Sequence, residues 1–239
     1  MNTSIVRRMS PFCFRILLFI TLISLIPMSA YASLYANFTG YGLYQWNGTA
    51  WTRINTTIPT SMVTSGSDLY ANFTGGISKW NGTAWAQITP SVATSMVVSG
   101  TDLYANFTGK GLYKWNGSAW RQLTSWEPSS MVASGMDLYA NFTGKGIYKW
   151  NGTAWKALTT TVATSMVASG TDLYANFPGG LYKWNGTAWQ VLTTSVPVSM
   201  VVSGTNLYAN YTGKGICQWD GTAWTQLDSS FAANLTAGF

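Results

Sequence analysis

The sequence predicts an all-β protein made of six copies of one antiparallel unit, and three observations support this. The turn motif Trp-Asn/Asp-Gly occurs six times, at Trp46, Trp80, Trp115, Trp150, Trp184 and Trp219. The segment Ser-Met-Val-x-Ser-Gly occurs five times, and its copies are spaced by 34, 35, 35 and 34 residues. No stretch after residue 32 shows a sustained helical period. A near-constant period of this length is typical of a repeat architecture.

Each unit contains four short strands, as residues 130–164 illustrate. The strands are expected at 130–134, 138–142, 147–150 and 154–159. Gly, Asn and Asp residues separate them, which favours an antiparallel meander. An Asn-Gly pair favours positive backbone dihedral angles, so we expect a tight hairpin between the third and fourth strands. That hairpin would make Trp150 and Trp155 a cross-strand pair.

Six such sheets around an axis bury both faces of each sheet, which is the architecture of a β-propeller. The alternative is an open solenoid, and the chain ends favour the propeller. The first copy, at Leu34, lacks a first strand, and the tail 227–239 aligns with 158–170. Residues 234–238 then supply the missing strand and remove the edge of the first sheet. The prediction is a six-bladed β-propeller over 33–239, with its first blade closed by the C-terminal strand at 234–239. Its repeats start near residues 34, 61, 95, 130, 165 and 199.

The segment Tyr-Lys-Trp-Asn-Gly-Thr-Ala-Trp at 148–155 and its copies are similar to kelch-type and two-component-regulator-type propeller repeats. The resemblance covers the chain after residue 32 and implies a propeller whose C-terminus closes the first blade. This unit is shorter than a kelch repeat, and it has Ala-Asn where kelch repeats have Gly-Gly. The resemblance implies a fold and leaves the function open.

The N-terminus has the layout of a secretory signal peptide, which we expect at residues 1–32. Arg7, Arg8 and Arg15 precede an apolar run at 16–26, and Ala30-Tyr31-Ala32 supplies small residues for cleavage. The apolar run is too short to span a membrane, and no second run follows. The expected location is therefore secreted, periplasmic or cell-surface, without a membrane span after cleavage.

Composition argues against several functional classes. Without the three leader arginines, 10 Lys and Arg face 7 Asp and Glu, and charged residues are only 8% of the chain. A nucleic-acid partner is not expected, because its footprint needs clustered basic residues. The chain has no His and a single Glu, Glu127. We therefore expect no enzyme activity, no metal site and no cofactor. Cys217 is alone after the leader, so no internal disulfide is expected.

The most repeated residues have both a structural and a functional interpretation. Paired tryptophans could stack on sugars or fill the space between blades, and we expect the second. The second-strand asparagines could contact ligand or hold the fold by hydrogen bonds, and we expect the second for Asn37, Asn72, Asn106, Asn141, Asn176 and Asn210. Turn aspartates could bind calcium or bond their own backbone, and we expect the second for Asp68, Asp102, Asp137 and Asp172.

Variation between copies falls on one face of the predicted propeller, where the turns between strands two and three meet the links between blades. The predicted ligand-binding residues on this face are Tyr41, Lys110, Lys145, Lys214 and Trp126. The lysines have glycine neighbours, so we expect their side chains to project freely, and blades two and five, which lack the residue, to bind most weakly. Loop drift is the alternative explanation of this variation.

The predicted function is a secreted, non-enzymatic binding propeller. Its expected partner is a carbohydrate or cell-surface glycoconjugate, bound multivalently as by a lectin. The alternative is a protein-interaction or surface-structural propeller.

Overall fold

The computed structural model of the protein describes residues 34–236, and all regular structure in this range is β-strand. The predicted signal peptide lies outside the described residues. Within residues 34–236, no helix is long and apolar enough to cross a membrane. The described residues form two compact units, which meet between Thr56 and Thr57.

The first unit contains one antiparallel sheet of three strands in the order β1-β2-β3, which is blade one. Its strands are β1 Leu34–Phe38, β2 Gly42–Trp46 and β3 Trp51–Asn55.

The second unit contains five antiparallel sheets of four strands each, which are blades two to six. Blade two has β4 Ser61–Ser65, β5 Asp68–Phe73, β6 Gly76–Trp80 and β7 Trp85–Thr89. Blade three has β8 Ser95–Ser99, β9 Asp102–Phe107, β10 Gly111–Trp115 and β11 Trp120–Thr124. Blade four has β12 Pro128–Ser134, β13 Asp137–Phe142, β14 Gly146–Trp150 and β15 Trp155–Thr159. Blade five has β16 Ser165–Ser169, β17 Asp172–Phe177, β18 Gly180–Trp184 and β19 Trp189–Thr193. Blade six has β20 Ser199–Ser203, β21 Asn206–Tyr211, β22 Gly215–Trp219 and β23 Trp224–Asp228. The fold class is all-β, and the six sheets are the blades of a β-propeller, as the sequence predicts.

The core of the second unit lies between successive blades. Because side chains alternate across a strand, the second-strand sequence Asp-Leu-Tyr-Ala-Asn-Phe serves two neighbours. Leu103 and Phe107 of blade three pack with Tyr70 of blade two, whereas Tyr104 packs with Leu138 of blade four. Similar clusters join blade four to five and blade five to six. Blades three, four and five therefore bury both faces of their sheets because each has a neighbouring blade on both sides.

The paired tryptophans belong to this core, as expected. Trp150 and Trp155 are cross-strand partners, and their ring centroids are 5.3 Å apart. The third-strand tryptophans of blades two to five are buried. Three fourth-strand tryptophans donate from Nε1 to a backbone carbonyl of the preceding blade: Trp120 to Ile88, Trp189 to Leu158 and Trp224 to Leu192.

A buried asparagine on the second strand binds the link that leads into the next blade. Asn141 is 1% exposed. Its Nδ2 donates to the carbonyl of Ala163 at 2.7 Å, and the N–H of Ala163 donates back to its Oδ1 at 3.2 Å. Asn72 makes the same two bonds with Ala93. We call this two-bond contact the asparagine latch, and it confirms the predicted structural role.

Proline removes half of the latch at two links. Pro128 and Pro197 stand where Ala163 stands, and proline has no backbone N–H. The Oδ1 atoms of Asn106 and Asn176 accordingly lack a hydrogen-bond partner among the described residues. Asn176 keeps the other half, because its Nδ2 donates to the carbonyl of Pro197 at 3.0 Å.

The C-terminal tail is held by the same latch. Asn210 donates to the carbonyl of Ala232 at 2.7 Å, and the Ala232 N–H donates to Asn210 Oδ1 at 3.3 Å. Ala163 lies two residues before β16, the first strand of blade five. By the same spacing, a strand after Ala232 would begin at Asn234. Residues 229–236 form no strand, and 237–239 lie outside the described residues. Completion of blade one by residues 234–239 therefore stays a prediction.

The turn between the third and fourth strands differs from the predicted tight hairpin. Gly152 has a φ of 96°, but among residues 34–236 no residue other than glycine has a positive φ. The loop instead holds four residues, and Asn151 Oδ1 accepts hydrogen bonds from the backbone N–H groups of Thr153 and Ala154. Asparagine is suited to this turn through its side chain. Asp220 makes the equivalent bonds in blade six.

The latch predicts unequal costs for two matched substitutions. Asn141→Ala should lower the free energy of unfolding by about 3 kcal/mol, because it leaves two buried backbone groups of Ala163 without partners. Asn106→Ala should cost only about 1 kcal/mol, because Pro128 offers no N–H to lose. Denaturant unfolding of both variants measures the difference, and equal losses would contradict the latch.

The tail predicts a large effect of truncation. Deleting residues 229–239 removes both the predicted closing strand and the bonds of Ala232, so aggregation or a large loss of stability should follow. Deleting only 233–239 keeps those bonds and should be milder by about 2 kcal/mol. Light scattering and thermal unfolding distinguish these outcomes. A soluble monomer of the longer deletion with an unchanged Tm would rule out closure by the tail.

Candidate functional site

The candidate site in the second unit is the rim formed by two kinds of segment, which we call the turn–link rim. Its turns join the second and third strands of each blade, at residues 74–75, 108–110, 143–145, 178–179 and 212–214. Its links join one blade to the next, at residues 90–94, 125–127, 160–164 and 194–198.

Glycine and glutamine residues hold the turns of this rim in position. Gly146 has a φ of 91°, and a Cβ there would overlap the carbonyl oxygen of Thr159, so only glycine fits. The turn of blade four therefore lies against the link that leaves the same blade. In blade three, Gln122 Nε2 donates to the Lys110 carbonyl at 2.7 Å. Gln226 does the same for Lys214 in blade six.

Glu127, the single glutamate, also supports a turn. Its Oε1 accepts a hydrogen bond of 2.6 Å from the backbone N–H of Gly109. This carboxylate is thus engaged with the turn of blade three.

The rim lysines do not project freely, so that prediction is wrong. Lys110 Nζ lies 3.3 Å from Ser91 Oγ, and Lys214 Nζ lies 2.8 Å from Ser195 Oγ. Each lysine reaches the link that enters its own blade, because the turn and that link lie side by side. An ammonium group forms hydrogen bonds with a nearby hydroxyl. These two lysines are exposed but are held across the rim.

Lys145 and Trp126, two predicted site residues, lie together in blade four. Lys145 Nζ is 4.2 Å from the Trp126 ring centroid, within range of a cation–π contact. Trp126 also contacts Phe142 and Tyr148 edge to face, with ring centroids 5.6 Å apart in both cases. Trp126 remains 39% exposed.

Tyr41 belongs to the first unit, in the turn between β1 and β2. Its backbone N–H donates to the carbonyl of Phe38 at 2.9 Å, and its side chain is 69% exposed.

Blade five carries a cavity that the sequence reasoning missed. The cavity measures about 330 Å³, and its lining includes Thr161, Phe177, Pro178, Gly179, Tyr182 and Trp189. The sequence indicates this cavity only through side chains that are missing from blade five. Its turn, Pro178-Gly179, has no lysine, and Thr161 stands at the position of Trp126. Sequence reasoning predicted weak binding at blade five because its turn lacks the lysine, whereas the structure has a cavity beside this short turn.

On the opposite face, the turn aspartates were expected to bond their own backbone. They form ion pairs with lysines instead. Each aspartate at the start of a second strand pairs with a lysine of the third strand: Asp68 with Lys79, Asp102 with Lys114, Asp137 with Lys149 and Asp172 with Lys183. Blade six has Asn206 and Gln218 at these positions, so both charges are absent together. Among the described residues, no group of three or more His, Cys, Asp or Glu could hold a metal ion.

Second-strand tyrosines next to these aspartates are buried. Burial, together with the carboxylate of Asp102, raises the pKa of Tyr104 to about 12. Burial and then Asp172 raise the pKa of Tyr174 to about 12 as well. These phenols remain neutral over the physiological pH range and belong to the core between blades.

Solved structures show the fold of this chain, whereas no family model and no curated protein sequence matches it. The computationally designed Ika8 protein matches with a TM-score of 0.63 and 13% identity, over 87% of this chain and 75% of that one. The structure of YCF48 bound to D1 peptide matches with a TM-score of 0.54 and 16% identity, over 77% of this chain and 74% of that one. The CRINKLY WD40 ectodomain of the Arabidopsis thaliana receptor kinase ACR4 matches with a TM-score of 0.54 and 9% identity, over 78% and 77%.

Three further matched structures are of longer chains, of which this chain spans 31% to 56%. At these identities the comparisons support the β-propeller fold alone.

The raised pKa of Tyr104 predicts alkaline sensitivity. The folded state holds this proton more tightly than the unfolded state, so its stabilisation is complete below pH 10 and is lost as the pH rises towards 12. Between pH 9 and pH 11 the wild type should lose about 1 kcal/mol more than Tyr104→Phe, which cannot ionise. Denaturant unfolding at the two pH values measures this. Equal losses in both proteins would remove Tyr104 from the explanation.

Proposed function

We propose that the chain is an exported, non-enzymatic binding propeller that recognises an exposed segment of a partner protein through the turn–link rim. One observation carries the proposal: the rim differs between blades that are otherwise nearly identical, and in blade five it leaves an aromatic-floored cavity open. Variable loops on one face of a repeat array often mark the binding face.

The chemistry of the rim favours a protein partner. The blade-five cavity is floored by Phe177, Tyr182 and Trp189, and aromatic side chains carry much of the energy of protein interfaces. Of the structural neighbours, YCF48 is bound to a peptide, which gives a precedent on this fold and no more.

A saccharide partner, the class that the sequence predicts first, is the second candidate. Tyr41 and Trp126 are exposed rings on which a sugar could stack. Repeated blades would offer several weak sites, and multivalent binding would then raise the overall affinity.

The proposal of a non-enzymatic role rests on where the acidic groups are used. Glu127 binds the backbone of Gly109, and four of the aspartates form ion pairs with lysines. Export rests on the predicted signal peptide at residues 1–32 and would place the protein outside the cytoplasm, in the periplasm, at the cell surface or in the medium.

The proposed function predicts that substitutions on the turn–link rim lower the affinity for the partner. Residues 33–239 are presented in parallel to a random peptide library and to a glycan array, and peptide hits are expected. The combined Lys110→Ala, Lys145→Ala and Lys214→Ala variant should bind the selected peptide about tenfold more weakly, a change of about 1.4 kcal/mol. Calorimetry measures this, and circular dichroism checks folding.

The control variant removes the carboxylates of the opposite face through Asp68→Asn, Asp102→Asn, Asp137→Asn and Asp172→Asn together. This variant should bind as the wild type does. Binding lost by the aspartate variant and kept by the lysine variant would place the site on the other face. Glycan hits without peptide hits would make the saccharide candidate the function instead.

A further inference from the structure

Blades four and five have the same three aromatic side chains below the turn–link rim. In blade five, Phe177 contacts Tyr182 and Trp189 edge to face, with ring centroids 5.4 and 5.3 Å apart. In blade four, the corresponding centroid separations are 5.7 and 5.4 Å. The aromatic floor is therefore the same in both blades, and what lies on it differs.

The link backbone above the floor is also the same. In blade four, the N–H of Trp126 donates to Thr124 Oγ1 at 3.1 Å. In blade five, the N–H of Thr161 donates to Thr159 Oγ1, also at 3.1 Å. Thr161 thus occupies the backbone position of Trp126, and only the side chain has changed.

Blade four covers its own floor. The indole of Trp126 lies on Phe142 and Tyr148, at interplanar angles of 78° and 69°, and the ammonium of Lys145 lies over the indole. Each edge-to-face contact of this kind contributes about 0.5–1.5 kcal/mol beyond the burial of area.

Blade five leaves the floor uncovered. Thr161 is too short to reach across it, and the turn Pro178-Gly179 is one residue shorter than the turn at 143–145 and has no lysine. The result is the cavity of about 330 Å³. Ligand cavities range from about 300 to 1,000 Å³, so this one suits a single ring-sized group.

We propose that the blade-five cavity is a pocket for one aromatic side chain of the partner segment, and that Trp126 shows in the same chain how that side chain sits. This inference rests on the proposed function and names the part of the partner that is recognised. The floor offers ring faces and edges for T-shaped contacts, which an aromatic side chain satisfies and an aliphatic one does not.

The test uses 5-fluoro-N-acetyl-tryptophanamide as the probe, observed by fluorine NMR with the intact chain, residues 33–239. The wild type should broaden and shift the probe signal. Thr161→Trp should fill the cavity from within and weaken binding of the probe at least about tenfold. Unchanged binding in this variant would overturn the inference.

A reciprocal variant keeps the test decisive if Thr161→Trp folds poorly. Trp126→Thr combined with replacement of the turn at 143–145 by Pro-Gly gives blade four the link residue and turn of blade five, so the number of probes bound should rise from one to two. A stoichiometry that stays at one would also contradict the inference.

Two control probes separate the alternatives. N-acetyl-leucinamide should bind at least about tenfold more weakly than the aromatic probe. Binding of a methyl glycoside at this site in place of the aromatic probe would overturn the inference in favour of a sugar subsite. If the peptide selected on the rim loses affinity in the lysine variant but keeps it in Thr161→Trp, the proposed function stands and the pocket inference fails.

Discussion

The asparagine latch between neighbouring blades is the contact on which the rest of the second unit depends. A four-stranded sheet of this size has two apolar faces, and each is buried only when another sheet lies against it. Apolar packing supplies most of the driving force, but it does not by itself define where a link enters the next blade. The latch does, because Asn141 binds both backbone groups of Ala163 two residues before the start of β16. The same two hydrogen bonds, between Asn210 and Ala232, hold the start of the tail.

Backbone contacts that recur in every link explain why the rim can vary. A threonine hydroxyl accepts a hydrogen bond from the backbone N–H of each link, and the glycine after each turn abuts the link that leaves the same blade, so the side chains on this backbone can differ. Position 126 and its equivalents carry Ser91, Trp126, Thr161 and Ser195, with the same bond from the backbone N–H to a threonine hydroxyl in each case. Different side chains on one backbone produce a covered floor in blade four and an open one in blade five.

Sequence reasoning predicted the features that repeat and missed those that depend on two neighbouring segments. The strands, the tryptophan pairs and the latch asparagines follow from a period of two and from turns that recur unchanged. The contact of Lys110 with Ser91 joins a turn to a link 19 positions earlier, and no local pattern indicates that distance. The Asn-Gly turn was misjudged because asparagine contributes its side-chain oxygen there and keeps a negative φ. The cavity was missed because it arises where two side chains are absent.

Amide hydrogen exchange with a peptide selected on the intact chain tests most directly whether recognition occurs at the turn–link rim. Residues 33–239 are compared with and without the peptide, and protection is located by segment. We expect added protection in the links and turns of blades four to six, centred on residues 159–162 and 177–182. Added protection confined to the turns around Asp137 and Asp172 on the opposite face would contradict it.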